Sequence, residues 1–321
     1  MADHTTPSRT AVDRICPGGV FAGAERLAGG ISAETWSWLF TKRDGETLRV
    51  VARFPSAAVL SSDAGALRRE CAALEAISRE GGVPVPALLL VDLRGAVLGR
   101  PGLVMALSPG VTPDAARVSV EQAEAMGAVL ARVHCANIED ASVLVDRHAE
   151  LARWLARWEP TDGEGDAERA AVGALRELAP WRDGPRSLLH GDFWAGNVLM
   201  DGDEIVGVVD WEDAALGHPF CDLAWARLEL FWLSGGEAMG AFTDAYFGAG
   251  GAVKRDAAAV ARWDLTNALR PAVRRTPCAE GERERERLAR ARAVFLRGAL
   301  ARLGGAPPLF GDAAAPGDGR G

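Results

Sequence analysis

The sequence predicts an α+β fold of two lobes, with a small N-terminal lobe built on an antiparallel sheet and one helix, and a larger, mainly helical C-terminal lobe. Apolar segments of strand length and pattern fall before Pro109. From Val118 onward, apolar residues recur mostly at helical spacing. Pro109 and Gly110 interrupt both patterns, as expected of a hinge. We therefore expect residues 21–109 to form the first lobe and residues 110–303 the second.

The first lobe is predicted to contain four strands and one helix. In the segment from Arg26 to Phe40, Trp36, Trp38 and Phe40 alternate as the residues of a half-buried strand do. The helix is expected where apolar residues follow a 3.6-residue period, and the other strands where short apolar runs are bounded by Gly and Pro. These elements are a strand at 47–54, a helix at 64–79, and strands at 87–93 and 102–107.

The second lobe is predicted to be helical outside one central stretch. Helices are expected at 119–136, 149–158, 167–178, 222–232, 237–247 and 256–270, and a last helix begins at the charged run 282–287. The Glu and Arg residues of that run lie three apart and can pair on a solvated helix face. The alternative, a charge repeat with a binding role, is less consistent with the apolar stripe that follows.

Both ends of the chain are expected to be flexible. Residues 1–20 are mostly polar and should dock loosely or fray. Residues 304–321 are mainly Gly, Pro, Ala and Asp. Such a composition buries too little apolar surface to order itself, so we expect a disordered tail.

The composition is that of an ordinary globular protein and restricts its partners. Of 321 residues, 48% are hydrophobic and 25% are charged, and the formal net charge is −8. Nucleic-acid binding relies on a basic surface, so nucleic acid is not expected as a partner. An acidic surface instead suits a cationic small molecule through long-range attraction.

Cysteine usage and hydropathy favour a cytoplasmic protein. The five cysteines are scattered, and no C-x2-C pair or Cys/His cluster indicates zinc or a disulfide framework. No apolar signal segment begins the chain, and no uninterrupted apolar run has the length of a membrane span. We expect reduced thiols and no membrane association, whereas the oligomeric state is not predicted.

One stretch, from Leu188 to Trp225, concentrates residues with chemical potential. His190, Asp192 and Asn197 are predicted to share a short loop, and two strands then flank a turn at 201–203. The second strand, 204–211, would return Asp210 to the side of that loop. Two carboxylates and a carboxamide converging on one volume favour a bound cation. A hairpin with acidic turn residues is the alternative for each residue taken singly.

The chemistry that requires such a layout is phosphoryl transfer. The protein has to hold Mg²⁺ against the phosphates and orient a hydroxyl for in-line attack. Mg²⁺ prefers oxygen ligands and keeps several waters, so one Asp and one Asn suffice, and Asp210 and Asn197 fit these roles. Asp192 would accept the proton of the attacking hydroxyl.

The residues H-G-D-F-W-A-G-N at 190–197 resemble the catalytic loop of the aminoglycoside phosphotransferase family, relatives of choline kinase with a protein-kinase-like fold. D-W-E at 210–212 is similar to the metal-binding motif of protein kinases, and G-H-P-F-C-D-L-A at 217–224 resembles the family's G-x-P-x-x-D-L-A. The resemblance implies that Asp192 is the base, that Asn197 and Asp210 bind Mg²⁺, and that His190 and Asp222 support the loop.

The same resemblance assigns nucleotide contacts to the first lobe. L-x-G-G-x-S at 27–32 is similar to the family's nucleotide-positioning loop and offers Gly29, Gly30 and Ser32, although a plain β-turn also explains two glycines. Arg53 would contact the phosphates and pair with Glu70 on the following helix, where protein kinases use Lys. Otherwise Arg53 would be a solvated edge charge.

Two further sets of residues are assigned to binding. The resemblance implies that Met105, Ala106 and Leu107 run beside the adenine, whereas an interior strand followed by a loop is the alternative. In the second lobe, carboxylates near aromatic residues suit amino-sugar or ammonium acceptors. Those expected to face the acceptor are Glu212, Asp213, Glu229 and Asp264. The aromatic stripes around them are also typical of a core.

The resemblance implies transfer of the γ-phosphate of ATP, or of GTP, to a hydroxyl of a small molecule. An aminoglycoside or another antibiotic is one acceptor class, with resistance as the role. A choline, amino-alcohol or sugar kinase is an alternative, since the family motifs contact nucleotide and metal rather than acceptor. A non-catalytic nucleotide-binding scaffold is a second alternative, opposed by the presence of Asp192, Asn197 and Asp210.

Overall fold

The computed structural model describes residues 6–27, 32–114, 117–158, 166–178, 184–270 and 281–304. The first lobe is a five-stranded antiparallel sheet with the strand order β1-β2-β3-β5-β4. Its strands are β1 Val20–Arg26, β2 Ala33–Thr41, β3 Thr47–Pro55, β4 Leu88–Asp92 and β5 Gly102–Ala106. The four predicted strands correspond to β2 to β5, and β1 is an addition.

Helices cover both faces of this sheet. Because side chains alternate along a strand, Val104 of β5 points to one face and Leu103 and Met105 to the other. The helix α3, Ala66–Glu80, packs its Leu67 on the second face, close to the predicted bounds. A short helix α2, Ala57–Ser62, precedes α3 and was not predicted.

Residues 6–20 correct the expectation of a flexible segment at 1–20, whereas residues 1–5 lie outside the described ranges. Residues Arg9–Ile15 form a helix, α1, capped by the Ser8 side chain. Its Ala11 and Val12 are buried against the sheet face that includes Trp38 and Phe40. The segment escapes prediction because two turns of helix contain too few apolar residues to show a period in a polar stretch. The tail 305–321 lies outside the described residues.

The second lobe is mainly helical and surrounds one large apolar core. Its helices are α4 Val120–Cys135, α5 Arg147–Ala156, α6 Asp166–Leu178, α7 Phe220–Leu233, α8 Gly236–Gly248, α9 Ala257–Ala268 and α10 Glu282–Leu303. All seven predicted helices are present within a few residues of their expected bounds. Helices α4 and α8 touch at Gly127, where a Cβ would lie 2.2 Å from the Phe242 carbonyl oxygen. No helix of the described segments is long and apolar enough to cross a membrane.

Short strands frame the central stretch of this lobe. Strands β6 Val145–Asp146, β7 Ser187–Leu189 and β10 Ala215–Gly217 form one small sheet, and β8 Val198–Asp201 and β9 Glu204–Val208 form the predicted hairpin. Gly202 supplies a φ of 62° in its turn. Strand β9 ends three residues before the expected Trp211, because Asp210 has a φ of 64° and leaves the extended conformation.

Cys16, Cys71, Cys135 and Cys221, the cysteines within the described ranges, are free thiols, as predicted. The fifth, Cys278, lies outside those ranges.

Candidate active site

The loop at 190–197 follows β7 and is held from behind by a buried carboxylate. Asp222, near the start of α7, accepts hydrogen bonds from the His190 amide at 2.7 Å and the Gly191 amide at 3.0 Å. Burial alone would raise the pKa of Asp222, but the hydrogen bond and charge of His134 and the contacts with His190 lower it below its usual value. Gly191 has a φ of 88°, and a Cβ there would lie 2.0 Å from the Asp213 carbonyl oxygen. Only glycine allows this close approach.

His190 is a buried support whose geometry does not suit proton transfer to a ligand. Its Nε2 lies 2.9 Å from the Val209 carbonyl oxygen and must donate to it, and its Nδ1 accepts from the Asp192 amide at 3.3 Å. The ring is fully buried against Trp211. Burial lowers the pKa of His190, so the ring is neutral near neutral pH.

Asn197 is fixed against Asp192 by its amide group. The Asn197 Nδ2 donates to the Asp192 carbonyl oxygen at 2.8 Å and to its carboxylate at 3.0 Å. The Oδ1 therefore points away from Asp192 and remains able to bind a cation. Burial raises the pKa of Asp192, and the nearby Asp213 carboxylate adds to the increase, while Asn197 opposes it. A raised pKa makes Asp192 a better proton acceptor.

Asp210 reaches this group from β9. The Val209 amide donates to the Asn197 carbonyl oxygen at 3.0 Å, which fixes the two chain segments side by side. The left-handed backbone of Asp210 is uncommon for a residue with a side chain and directs the carboxylate into the cleft. Burial raises the pKa of Asp210, and Arg53 counteracts that increase.

Arg53 joins three carboxylates from both lobes. Its Nη1 lies 2.5 Å from Glu70 on α3, and its Nη2 lies 2.9 Å from Asp210 and 2.5 Å from Glu212. The Arg53 side chain is only 9% exposed, so these are partly desolvated contacts. The pairing of Arg53 with Glu70 expected from the sequence is present, and the planar fork of arginine explains how one cation serves three acids. Ser32 adds a second contact across the cleft, from its Oγ to Glu212 at 2.7 Å.

The position of Glu212 corrects one prediction. It was expected to face the acceptor, but its carboxylate lies beside Arg53 and Ser32 in the cleft between the lobes. Asp213 is exposed, and its charge contributes to the raised pKa of Asp192.

Asp264 corrects a second prediction. Rather than facing an acceptor, it is fully buried and accepts from Arg227 at 3.0 Å and from Arg302 at 2.6 Å. These contacts tie α9 to α7 and α10. The prediction that Asp264 faces the acceptor depends on the aromatic residues near it in the sequence. Its ion-pair partners, Arg227 and Arg302, are 37 and 38 residues away, and no sequence pattern links them to it.

The cleft between the lobes contains a cavity of about 340 Å³. Met105, Ala106 and Leu107 line it, and Asn197 and Asp210 lie among the residues that close it. Leu27 and Ser32, which flank the glycine-rich loop, are among the described residues. Gly29 and Gly30 lie outside them. The cavity thus joins an apolar wall to a strongly charged region.

The charged region has the donor set of a divalent-cation site. Burial raises the pKa of Glu70 to about 7, and Arg53 opposes this increase. Even where Glu70 keeps its proton, Asp210 and Glu212 share the positive charge of Arg53, which leaves an excess of negative charge. One oxygen of Asp210 and the Oδ1 of Asn197 are oxygen donors of the kind that Mg²⁺ prefers. In the described part of the chain, no three His, Cys, Asp or Glu side chains are arranged to hold a metal by themselves. A cation here would therefore need further oxygens from a ligand.

Residues from α7 and from the end of α9 lie near Asp192. Glu229 is expected to face the acceptor, and burial raises its pKa to about 8, with a contribution from the Asp192 charge. Trp225 lies one turn before Glu229 on α7. Arg270, which sequence reasoning missed, has its guanidinium 5.2 Å from the centre of the Trp225 ring. The only signal for it was a lone cation at the end of an apolar helix, which usually indicates capping.

We predict that Arg53→Met lowers the free energy of unfolding by about 3 to 5 kcal/mol, because Glu70, Asp210 and Glu212 lose the cation that contacts all three of them. Arg49→Met is the matched control on the same strand, since the Arg49 side chain is 46% exposed, and it should cost less than about 1 kcal/mol. Urea denaturation of both variants measures the difference. Equal small losses would contradict the account of the Arg53 cluster.

A second prediction concerns pH. The pKa of Glu229 rises from 4.5 to about 8 on folding. Between these values the folded state binds more protons than the unfolded state, so stability falls as pH rises through this window. The glutamine in Glu229→Gln cannot ionise. We therefore expect the unfolding free energy of the variant, relative to that of the wild type, to increase from about pH 5 to about pH 9.

The measurement is chemical denaturation across that pH range. Glu237→Gln, at an exposed position of α8, should leave the pH profile unchanged. A Glu229→Gln profile parallel to that of the wild type would show that Glu229 ionises normally.

The chain is similar to known proteins both in sequence and in fold. The mouse (Mus musculus) protein named acyl-CoA dehydrogenase family member 10 is 28% identical over 214 residues, which cover 61% of this chain and 20% of that protein. The chain therefore spans about a fifth of the length of this relative.

Two solved structures share the fold. A macrolide 2'-phosphotransferase from Brachybacterium faecium has 19% identity and a TM-score of 0.59, and the match covers 91% of this chain and 95% of that one. Amicoumacin kinase, in complex with AMP-PNP, Ca²⁺ and Ami, has 17% identity and a TM-score of 0.58, with 85% and 88% covered. The predicted two-lobed, protein-kinase-like fold is thereby confirmed.

A sequence model of the phosphotransferase enzyme family, APH, matches residues 23–263, from β1 to α9. This range contains the Arg53 cluster and all of the loop at 190–197. The match confirms the resemblance that the motifs indicated, and the chain belongs to the phosphotransferase enzyme family.

Proposed function

We propose that the protein transfers the γ-phosphate of ATP to a hydroxyl group of a small molecule. The observation that carries this proposal is the convergence of Asp192, Asn197 and Asp210 at the charged end of the cleft between the lobes. A binding-only protein has no need for a desolvated carboxylate beside a cation site.

The nucleotide would occupy the 340 Å³ cavity. Backbone groups of Met105 to Leu107 would face the adenine, and Arg53 and Ser32 would face the phosphates. The AMP-PNP and Ca²⁺ bound to amicoumacin kinase support a nucleotide and a divalent cation in this fold. GTP would fit the same cavity, since none of these contacts distinguishes the two bases.

Asp210 and the Oδ1 of Asn197 would hold Mg²⁺, which offsets the charge of the phosphate oxygens when bound. Asp192 orients the acceptor hydroxyl and takes its proton as the oxygen bonds to the γ-phosphorus and the bond to the leaving ADP breaks. Asn197 keeps Asp192 in place through its Nδ2, so one residue serves both metal and base.

The acceptor belongs to one of two classes. Macrolide 2'-phosphotransferase and amicoumacin kinase, by their names, act on antibiotics, which supports an antibiotic acceptor and a role in resistance. A small metabolite, of the choline, amino-alcohol or sugar type, is the second candidate, because the family motifs contact nucleotide and metal rather than the acceptor. Reduced thiols support a cytoplasmic location for either role.

We predict that Asp192→Asn lowers kcat at least about 100-fold, because the amide cannot accept the acceptor proton. Asp203→Asn, in the exposed turn between β8 and β9, is the matched control and should retain full activity. The assay follows Mg²⁺-dependent ATP consumption over a panel of aminoglycosides, macrolides, amino alcohols, sugars and hydroxy acids.

An Asp192→Asn variant as active as Asp203→Asn would contradict the proposal. Tight nucleotide binding without turnover of any acceptor would favour the non-catalytic scaffold instead.

A further inference from the structure

Arg270 is a positioned cation beside the proposed base. It follows α9 directly, and its guanidinium lies over the Trp225 ring at 5.2 Å. Its charge reaches Asp192, whose pKa it lowers, against the stronger effect of burial. Trp225 lies one turn after Asp222 on α7, and Asp222 holds the Gly191 amide at 3.0 Å. The pair of Trp225 and Arg270 therefore lies beside the loop that carries Asp192.

The side chain of Arg270 is held in place from two sides. Its Nη1 donates to the Asn267 Oδ1 at 3.3 Å. Asn267 is itself fully buried, and its Nδ2 donates to the carbonyl oxygens of Cys221 at 3.3 Å and Trp263 at 3.1 Å. With Asn267 fixed on one side and the indole of Trp225 on the other, the guanidinium does not have to be ordered when a ligand binds.

Arg270 differs from the other arginines near the site in its partners. Arg53 has three carboxylates, and Arg147 binds Glu150 at 2.8 Å. Within the ranges that the structure describes, no carboxylate forms an ion pair with Arg270. A stacked guanidinium leaves its edge open, and that edge matches a carboxylate in two parallel hydrogen bonds.

We propose that Arg270, backed by Trp225, binds the carboxylate of the acceptor, so that the substrate is a small hydroxy acid. This inference rests on the proposed function and specifies its acceptor. The acceptor's hydroxyl would face Asp192 while its carboxylate lies against the guanidinium edge.

Arg270 offers a positive charge to an anionic group of the acceptor although the whole chain carries −8. Glu229, with a pKa of about 8, keeps its proton near neutral pH and adds no negative charge. It can then donate a hydrogen bond to the acceptor. A cationic group placed against the Trp225 ring would be repelled by Arg270.

The test compares matched acceptors. Aliphatic hydroxy acids of increasing length are assayed beside their neutral amides, their amine counterparts and glycerol phosphate, with ATP and Mg²⁺. We expect the acids to give the highest kcat/KM. Arg270→Gln should lower this value about 10- to 100-fold for the acids, while the value for the amides stays within about twofold.

Two further variants sharpen the result. Arg270→Lys keeps the charge but not the fork and should recover part of the lost activity. Arg297→Gln, at an exposed position of α10, is the matched control and should behave as the wild type. An equal loss for acids and amides in Arg270→Gln would show that Arg270 only positions Asp192, and would overturn the inference. A preference for glycerol phosphate would likewise overturn the assignment to a carboxylate.

Calorimetry separates this inference from the proposed function. Hydroxy acids are titrated into Asp192→Asn protein loaded with AMP-PNP and Mg²⁺, with and without Arg270→Gln. Binding that depends on Arg270, without phosphate transfer in the wild type, supports the subsite and contradicts the proposed function. Transfer to amines or amides, with no binding of acids, contradicts the subsite and leaves the proposed function intact. Neither binding nor transfer contradicts both.

Discussion

The contact of one guanidinium with three carboxylates is the constraint on which the rest of the site depends. Arg53 comes from the sheet, Glu70 from α3, and Asp210 and Glu212 from the C-terminal lobe. One positive charge does not balance Asp210 and Glu212, even where Glu70 keeps its proton. In a partly desolvated cleft the cluster therefore favours a further cation. The same shortage of positive charge that makes the cleft costly to assemble makes it suitable for a metal and a nucleotide.

A second buried network gives the 190–197 loop its shape. Asp222 holds the loop amides, and His134 links Asp222 at 3.3 Å to the Tyr246 hydroxyl at 2.8 Å from the other side. The loop is thus connected to α4, which carries His134, and to α8, which carries Tyr246. His190 and Asp222 contribute rigidity, and Asp192 and Asn197 keep their mutual orientation because the backbone between them has little freedom.

The sequence was informative where a residue's role is local. The spacing of His190, Asp192 and Asn197 is set by one loop, so it could be interpreted without coordinates. The pair of Arg53 and Glu70 was accessible because a strand and the following helix must pack together. By contrast, Asp264 has partners 37 and 38 residues away, and no pattern links them.

Other features depended on geometry that composition does not specify. The left-handed turn at Asp210 sends Glu212 into the cleft, and an extended strand through Trp211 would have placed it elsewhere. Helix α1 is too short for its buried residues to show a period. Arg270 becomes informative only when its lack of a carboxylate partner in the described segments and its position over Trp225 are seen together.

The most direct test of the metal and nucleotide site is a crystal structure of the protein with AMP-PNP and Mg²⁺. We predict Mg²⁺ bound by Asp210 and the Asn197 Oδ1 at about 2.0 to 2.1 Å, with the γ-phosphate directed toward Asp192. A nucleotide outside the cleft, or a metal that touches neither Asp210 nor Asn197, would contradict it.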